Sequence, residues 1–411
     1  MNNKIIILFT SAFPFGHGEQ FIVTELGFLA KSFAEIFIFP YHYGGSMEMR
    51  KGIPENVTVY KPFRDENHNF FKLLYKGILN TRVFFPYWGD LIKNPGIIFS
   101  RRNFSLWFRN MLNCRMILGD KRLLNCIEKY HSRLIFYFYW GHRPSGITLG
   151  LRKLKRPIAV RFHGTDLYEE MELNHNYIPF REIVLKSISH AIFISDHGAN
   201  YIRRSFNYLH TRIAVHRLGT IFHNTYPWEP SESLRILSCS AIDENKRNWI
   251  IAKAIGRLSF PIQWTHIGDG PLMNELSALC KAIDKNNIAV NLLGRMTNEN
   301  VHQIYRQQQF DLFINVSQSE GVPFSIMEAL SYSIPVMATA VGGTPEIVDH
   351  SCGLLLPVDL SDELLSDHLV NFHSLEVTKK IAMRTDARKR WEKMCNAEKN
   401  YLEFTSFMEK L

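Results

Sequence analysis

Short, uninterrupted apolar runs alternate with helix-like segments along nearly the whole chain, and this alternation restricts the fold more than any other feature. A first series comprises "KIIILFT", "AEIFIFP", "RLIFYFYW", "PIAVRF", "HAIFIS" and "RIAVHRLG". A second comprises "SLRILSCSA", "IQWTHIG", "NIAVNLLG", "FDLFINVS", "IPVMAT" and "CGLLLP". Strands apolar on both faces must be covered on both, which calls for parallel sheets flanked by helices. Between the series lies "IFHNTYPWEPSES", with two prolines and no periodicity. The pattern predicts an α/β chain of two Rossmann-like domains facing a shared cleft, with the boundary near 222–233. A length of 411 residues, more than one hydrophobic core usually serves, agrees. The stretch from Arg388 reads as a terminal helix with Trp391, Met394, Tyr401 and Phe404 turned inward.

Net charge is +9, which suits an acidic or phosphate-bearing partner. Between Lys61 and Arg122 twelve Lys/Arg face four Asp/Glu, an excess of eight that nearly matches the surplus of the whole chain. Phe70, Phe71, Phe84, Phe85, Trp88, Trp107 and Phe108 are interleaved with it. Cations beside aromatics fit the headgroup region of an anionic membrane; a solvated face with its rings turned inward is the plainer alternative. No nucleic-acid-binding motif accompanies the patch. Six scattered cysteines without a Cys-x-x-Cys pair point to a reducing, cytoplasmic compartment rather than a zinc site. No apolar stretch reaches the eighteen or so residues that span a bilayer, so any contact with the inner face of the plasma membrane is expected to be peripheral.

Ligands of open parallel sheets bind at the carboxyl ends of strands, so the loops that leave strands carry the chemistry. The most informative is "SQSEGVPFSIMEALSYSIPVMATAVGGTPEIV", Ser317 to Val348. After the strand "FDLFINVS", Pro323 suits the first helical position, where its missing N–H leaves nothing unpaired. The amides of Val322, Phe324 and Ser325 would then lie at the positive end of a helix dipole, ready for an anion. Glu320 precedes that helix. Glu328, more than one turn inside it, could accept both hydroxyls of a ribose. Alternatively, Glu320 caps the helix and Glu328 lies on its surface.

Other loops add to this. Lys246 precedes an amphipathic helix and can meet phosphate as a point charge. Gly268 and Gly270 permit close backbone approach to a bound ligand, or simply make a turn. After Gly294, the backbone of Arg295 and Met296 could read a nucleobase edge, with Thr297 as a helix N-cap. Gly342 and Gly343 follow a further strand. Five such loops at one sheet edge point to a nucleotide site. In the first half, "SAFPFGHGEQF" places Gly16, His17, Gly18 and Glu19 after the first strand, without the G-x-G-x-x-G fingerprint, because position 21 is Phe. "RFHGTDLYEE" places His163 and Asp166 at a strand exit, where the imidazole can reach a sugar hydroxyl or hold a turn. Arg143 and Ser195 follow other strands and are weaker candidates.

With these residues in view, "SEGVPFSIMEAL", "SIPVMAT", "VGGTPEIV" and "CGLLL", together with "FPFGHGEQFIVTEL", "RFHGTDLYEE" and "RIAVHRLGT", resemble retaining glycosyltransferases of the large family 4, of the bacterial surface-polysaccharide type. The resemblance implies the GT-B architecture, with an acceptor-side domain (1–222), a nucleotide-sugar donor domain (223–387) and a terminal helix (388–411) folding back on the first domain. It implies that Glu328 binds the donor ribose, that Glu320 contacts the transferred sugar, and that the backbone of Gly321, Val322, Pro323, Phe324 and Ser325 holds sugar hydroxyls and diphosphate. Lys246 would neutralise the diphosphate and His163 would support charge on the sugar. Gly16, Gly18, Glu19 and Asp166 would belong to the acceptor side. Many members carry arginine six residues before the phosphate lysine, where this chain has Ser240; Arg247 would compensate in part.

The reaction so implied moves a sugar from a nucleoside diphosphate to a glycan or a polyprenyl-diphosphate-linked acceptor, with retention of anomeric configuration. No Asp-x-Asp motif ends a strand, so neither metal nor cofactor is expected. Rival readings on the same fold are a nucleotide-sugar epimerase or hydrolase, or a catalytically silent organiser of a polysaccharide assembly complex. A nicotinamide dehydrogenase is disfavoured by the missing fingerprint.

Overall fold

Every run in both series becomes a strand. The computed structural model describes residues 2–16, 18–64, 87–207, 209, 211–222, 227–283 and 285–411. His17 and positions 65–86, which include Phe70, Phe71, Phe84 and Phe85 of the basic-aromatic window, lie outside them. Contacts divide the chain into two units, Met1–His216 with Tyr401–Leu411, and Arg217–Asn400.

The first unit carries β1 (Asn2–Thr10), β2 (Phe33–Pro40), β3 (Val57–Val59), β4 (Leu134–Phe138), β5 (Ile158–Phe162), β6 (His190–Phe193) and β7 (Arg212–Val215). They form one parallel sheet in the order β3-β2-β1-β4-β5-β6-β7. Alternate residues of β1 enter different cores: Ile5, Ile7 and Phe9 one face, Ile6 and Leu8 the other. This is the period-two burial expected of a strand covered on both sides. Only the three-residue β3 was not legible, being too short for a pattern.

The second unit carries β8 (Leu234–Cys239), β9 (Ile262–Ile267), β10 (Ile288–Leu292), β11 (Leu312–Asn315), β12 (Val336–Thr339) and β13 (Gly353–Leu356), parallel in the order β10-β9-β8-β11-β12-β13. Both sheets are therefore doubly wound. Each reverses its direction of growth once, between β1 and β4 and between β8 and β11. At such a reversal neighbouring loops leave in opposite directions and open a crevice.

The division after His216 falls upstream of the proline-bearing stretch, and hydrogen bonds explain why. Thr220 N–H donates to the Cys395 carbonyl at 2.9 Å, Ala397 N–H to the Thr220 carbonyl at 3.0 Å, and the Trp391 indole to Thr220 Oγ1 at 2.8 Å. A side chain on Gly219 would stand 2.6 Å from Ala397 Cα, so the strap lies flat against that segment. The chain from Arg388 also lies on two helices rather than one, Val377–Met394 and Ala397–Glu409. Cys395 and Asn396, paired with Thr220, interrupt them. Trp391 is buried in the second unit, while Tyr401, Phe404 and Met408 are buried in the first; Met394 is half-buried. The Phe404 ring lies 4.2 Å from the guanidinium carbon of Arg161, which is wholly buried and paired with Glu25. No helix among the described residues is long and apolar enough to cross a membrane.

Candidate functional site

In the second unit the β8 and β11 exit loops meet at the reversal point. Lys246 Nζ lies 2.5 Å from Glu320 Oε1, the two side chains being 22% and 11% exposed. Asn315 Nδ2 approaches the same oxygen at 3.4 Å. Asn245 fastens the loops together: its amide oxygen accepts from Ser319 N–H at 3.0 Å and Ser319 Oγ at 2.8 Å, and its Nδ2 donates to the Ser319 carbonyl at 3.1 Å. Arg247 is a second tether. Its guanidinium donates to the carbonyls of Val316 at 2.8 Å, Val358 at 2.8 Å and Ser317 at 3.4 Å. The ammonium of Lys246 thus stands on a braced loop.

The helix Phe324–Ser331 follows Glu320. Pro323 is not its first helical residue but its N-cap, with extended backbone at φ −69°, ψ 119°, and its carbonyl accepts from Met327 N–H at 3.3 Å. A proline side chain has no acceptor to cap with, so Pro323 makes no side-chain cap hydrogen bond. Gly321 gives its carbonyl to Gly343 N–H at 2.7 Å, while Val322, Phe324 and Ser325 are half-buried. A side chain on Gly342, at φ +54°, would fall 1.9 Å from the Glu320 carbonyl; the glycine lets the β12 exit lie against Glu320.

Glu328 lies within this helix and is 9% exposed, not on its surface. Asn298 Nδ2 donates to its Oε1 at 3.2 Å, and His302 Nε2 is 3.8 Å from the same oxygen. Burial pushes the carboxyl up to about 7, the Asn298 hydrogen bond opposing in part. Asn298 and His302 occupy the helix Asn298–Gln307, which Thr297 does cap by accepting from Asn300 N–H at 3.3 Å. Exposed Arg295 and half-buried Met296 precede it on the loop leaving edge strand β10, two strands from β8. Gly268 and Gly270 serve the protein's own packing. A side chain on them would strike the carbonyls of Ser240 at 1.7 Å and Ile242 at 2.3 Å, so their freedom admits the neighbouring loop.

The first unit uses its polar residues differently. Glu19 accepts from the amides of Ser11 at 3.1 Å, Ala12 at 2.7 Å and Phe13 at 2.6 Å, and from the Trp140 indole, closing the β1 exit across the reversal point onto the β4 exit. Gly16, at φ +66°, lies against Gly44, whereas Gly18 faces open space. Asp166, wholly buried, accepts from the amides of His163 and Gly141, both at 2.7 Å. Burial alone would raise its pKa, but the neighbouring His163 and His142 rings and the Gly141 amide hold it at about 2. His163 packs on the Trp140 ring at 4.2 Å. Its Nδ1 is 3.5 Å from Asp166 Oδ2, too long for a strong hydrogen bond, and neither ring nitrogen has a hydrogen-bond partner among the described residues.

Lys246, Glu320, Gly321 and the N-terminus of the helix after Pro323 are therefore gathered at one reversal point, with Glu328 buried in that helix. Asn245, Asn298, His302 and Asn315 join them; no sequence signal singled these out, since amides and histidines in loops and first turns are common.

The glycosyl transferases group 1 family model matches residues 233–372. The putative colanic acid biosynthesis glycosyltransferase WcaL of Escherichia coli is 26% identical over 292 residues, 67% of this chain and 70% of that protein. N-acetyl-alpha-D-glucosaminyl L-malate synthase of Bacillus anthracis is 24% identical over 205 residues, 47% and 52% of the two chains. Among solved structures, Anabaena HepE in complex with UDP superposes with TM-score 0.67 at 15% identity, covering 99% of this chain and 100% of that one. Sucrose-phosphate synthase from Thermosynechococcus elongatus superposes with TM-score 0.72 at 14% identity, covering 99% of each. The chain thus has the two Rossmann-like domains of the GT-B fold seen in these structures, and residues 233–372 match the glycosyl transferases group 1 model.

Proposed function

We propose that the chain is a retaining glycosyltransferase of family 4, moving a sugar from a nucleoside diphosphate to a hydroxyl of a carbohydrate or lipid-linked oligosaccharide in cell-surface polysaccharide synthesis. The observation that carries this reading is the meeting of Lys246, Glu320 and the N-terminus of the helix after Pro323 at the β8/β11 reversal. A diphosphate there would take the ammonium from Glu320, and the helix amides would receive its remaining charge. Freed of Lys246, Glu320 would accept from hydroxyls of the transferred sugar. Glu328 would accept from the ribose, and His163 would support the positive character that develops on the sugar. As the C1–O bond to the diphosphate breaks, the new bond forms from the acceptor oxygen and its proton passes to the departing phosphate. Lys246 and the helix stabilise the charge that grows on that phosphate, and we assign that task to them rather than to a metal ion. HepE has been crystallised with UDP, and WcaL bears a colanic acid name; both fit a nucleotide-sugar donor and a surface polysaccharide product.

Thermal unfolding with a panel of UDP-, GDP- and ADP-sugars tests the donor. Ligands that bind the folded chain raise its melting temperature according to affinity and concentration. We expect one nucleotide class to do so, and to turn over only when an acceptor is added. Sugar release without acceptor would move the reading to a hydrolase, and a flat response to all three would end it.

A further inference from the structure

In the first unit, loops after β1, β2, β3, β4 and β5 and one face of the helix Arg101–Leu118 line a cavity of about 780 Å³. Arg64, Arg102, Arg109 and Arg143 line it, and no Asp or Glu does so among the described residues. Arg102 and Arg109 stand seven residues apart on one helix face, so both forks turn toward the same space. Three of the four come from the basic-aromatic window, whose excess charge is thus gathered at a concavity. A second observation is independent of charge. The Tyr41 hydroxyl and Asn113 Oδ1 line the same cavity, both residues are 4% exposed, and neither atom has a hydrogen-bond partner among the described residues. Buried polar atoms left in this way mark a place for a ligand or water.

His42 and His142 also face the cavity. Burial lowers the pKa of both; Glu19 opposes this at His42, and Asp166 and the Arg143 backbone oppose it at His142, while the charge of Arg143 acts with burial at each. The positive charge is therefore that of the guanidiniums.

We infer that this cavity seats a phosphate or diphosphate group carried by the acceptor. The inference rests on the transferase reading above and adds the chemical class of its second substrate. Guanidinium forks match phosphate oxygens in pairs, and the Tyr41 hydroxyl supplies a further donor. Phe99, three residues before Arg102 in the chain, is 88% exposed; Leu173, which lines the cavity, is 67% exposed, and its carbonyl accepts from Arg102 at 3.2 Å. Apolar side chains so placed suit the first carbons of a lipid chain.

Calorimetry on the full chain, with UDP at saturation, tests this using inorganic pyrophosphate and a short-chain prenyl diphosphate. Pyrophosphate should bind in the presence of UDP. Arg109→Gln and Arg143→Gln should each weaken it about tenfold or more, the loss expected for one charge-assisted hydrogen bond. Tyr41→Phe should weaken it without lowering the melting temperature, because the hydroxyl it removes has no internal partner. Lys246→Ala should leave it unchanged, which separates this cavity from the donor site. Tighter binding of the prenyl compound, with the advantage removed by Phe99→Ser, assigns a lipid-linked acceptor; equal affinities assign a soluble phosphorylated sugar. If UDP, GDP and ADP all fail to bind while pyrophosphate still depends on the arginines, the donor reading falls and the anion site stands. Pyrophosphate that is displaced by UDP, or that ignores all three cavity substitutions, overturns the inference.

Discussion

Each unit reverses its sheet once, and at each reversal a glutamate follows a strand, Glu19 after β1 and Glu320 after β11. Their partners differ in kind. Glu19 is held by three backbone amides and an indole, donors fixed by the fold. Glu320 meets the end of a flexible lysine chain and a distant side-chain amide. Donors that belong to the backbone cannot leave without unfolding the loop, whereas an ammonium on a four-carbon stem can turn to an arriving phosphate. A carboxylate at a reversal point is therefore weak evidence for a ligand site by itself; the freedom of its partner decides.

The comparison breaks first at Glu19. Glu19→Ala would orphan backbone amides of a half-buried loop, and we expect a loss of about 3 kcal/mol in denaturant unfolding. Nucleotide affinity, measured below the transition, should be unchanged. If stability holds and nucleotide binding falls, Glu19 is a ligand residue after all and the contrast fails. Lys246→Ala should do the opposite. Transfer at subsaturating donor should fall by roughly tenfold to a hundredfold, about 1.4–2.7 kcal/mol of transition-state stabilisation, while the melting temperature moves little. Normal turnover in that variant would remove Lys246 from the site.

Glu328 sharpens the contrast within the second unit, because it is buried without a fixed cation. Its folded pKa of about 7 lies above the ordinary glutamate value of 4.5, so the folded state binds the proton more tightly than the unfolded chain. Its contribution to stability is therefore present at low pH and lost as pH rises through that window. From about pH 6 to about pH 8 the loss should be about 1.3 kcal/mol, absent in Glu328→Gln. The ribose role requires the carboxylate, so nucleotide affinity should rise over the same interval by up to roughly tenfold. Isothermal calorimetry at several pH values reads this directly. A pH-independent affinity in the parent chain would detach Glu328 from the ribose.

These differences also mark what the sequence could disclose. Strand positions were legible because a strand buried on both faces must be continuously apolar, and residues such as Ile5 to Phe9 cannot serve another period as well. Lys246 and Glu320 were legible because strand exits of parallel sheets are few. Strand order was not written locally, so the reversal that unites those two residues, and the partners of Glu19 and Asp166, emerged only from the fold. Arg247 shows the same limit. Beside Lys246 it reads as a second phosphate cation, yet its fork holds three carbonyls that come from Val316, Ser317 and Val358. Gly268 and Gly270 suggest close approach of a ligand in the sequence, whereas in the fold the backbone that lies against them is the loop of Ser240 and Ile242.

The smallest effect lies between two glycines of the Glu19 loop that sequence alone treats as equivalent. Gly16 adopts φ +66°, and a methyl group there would stand 2.7 Å from the Gly44 carbonyl. Gly18 has no atom within 4 Å of that position. Both give their carbonyls to Arg50, so loss of that tether cannot distinguish them. Gly16→Ala should cost about 1 kcal/mol from backbone strain, whereas Gly18→Ala should stay within about 0.5 kcal/mol of the parent. Equal melting temperatures for the two variants would mean that the loop shifts freely. Glu19 would then be held by a mobile loop, and the distinction from Glu320 would lose its physical basis.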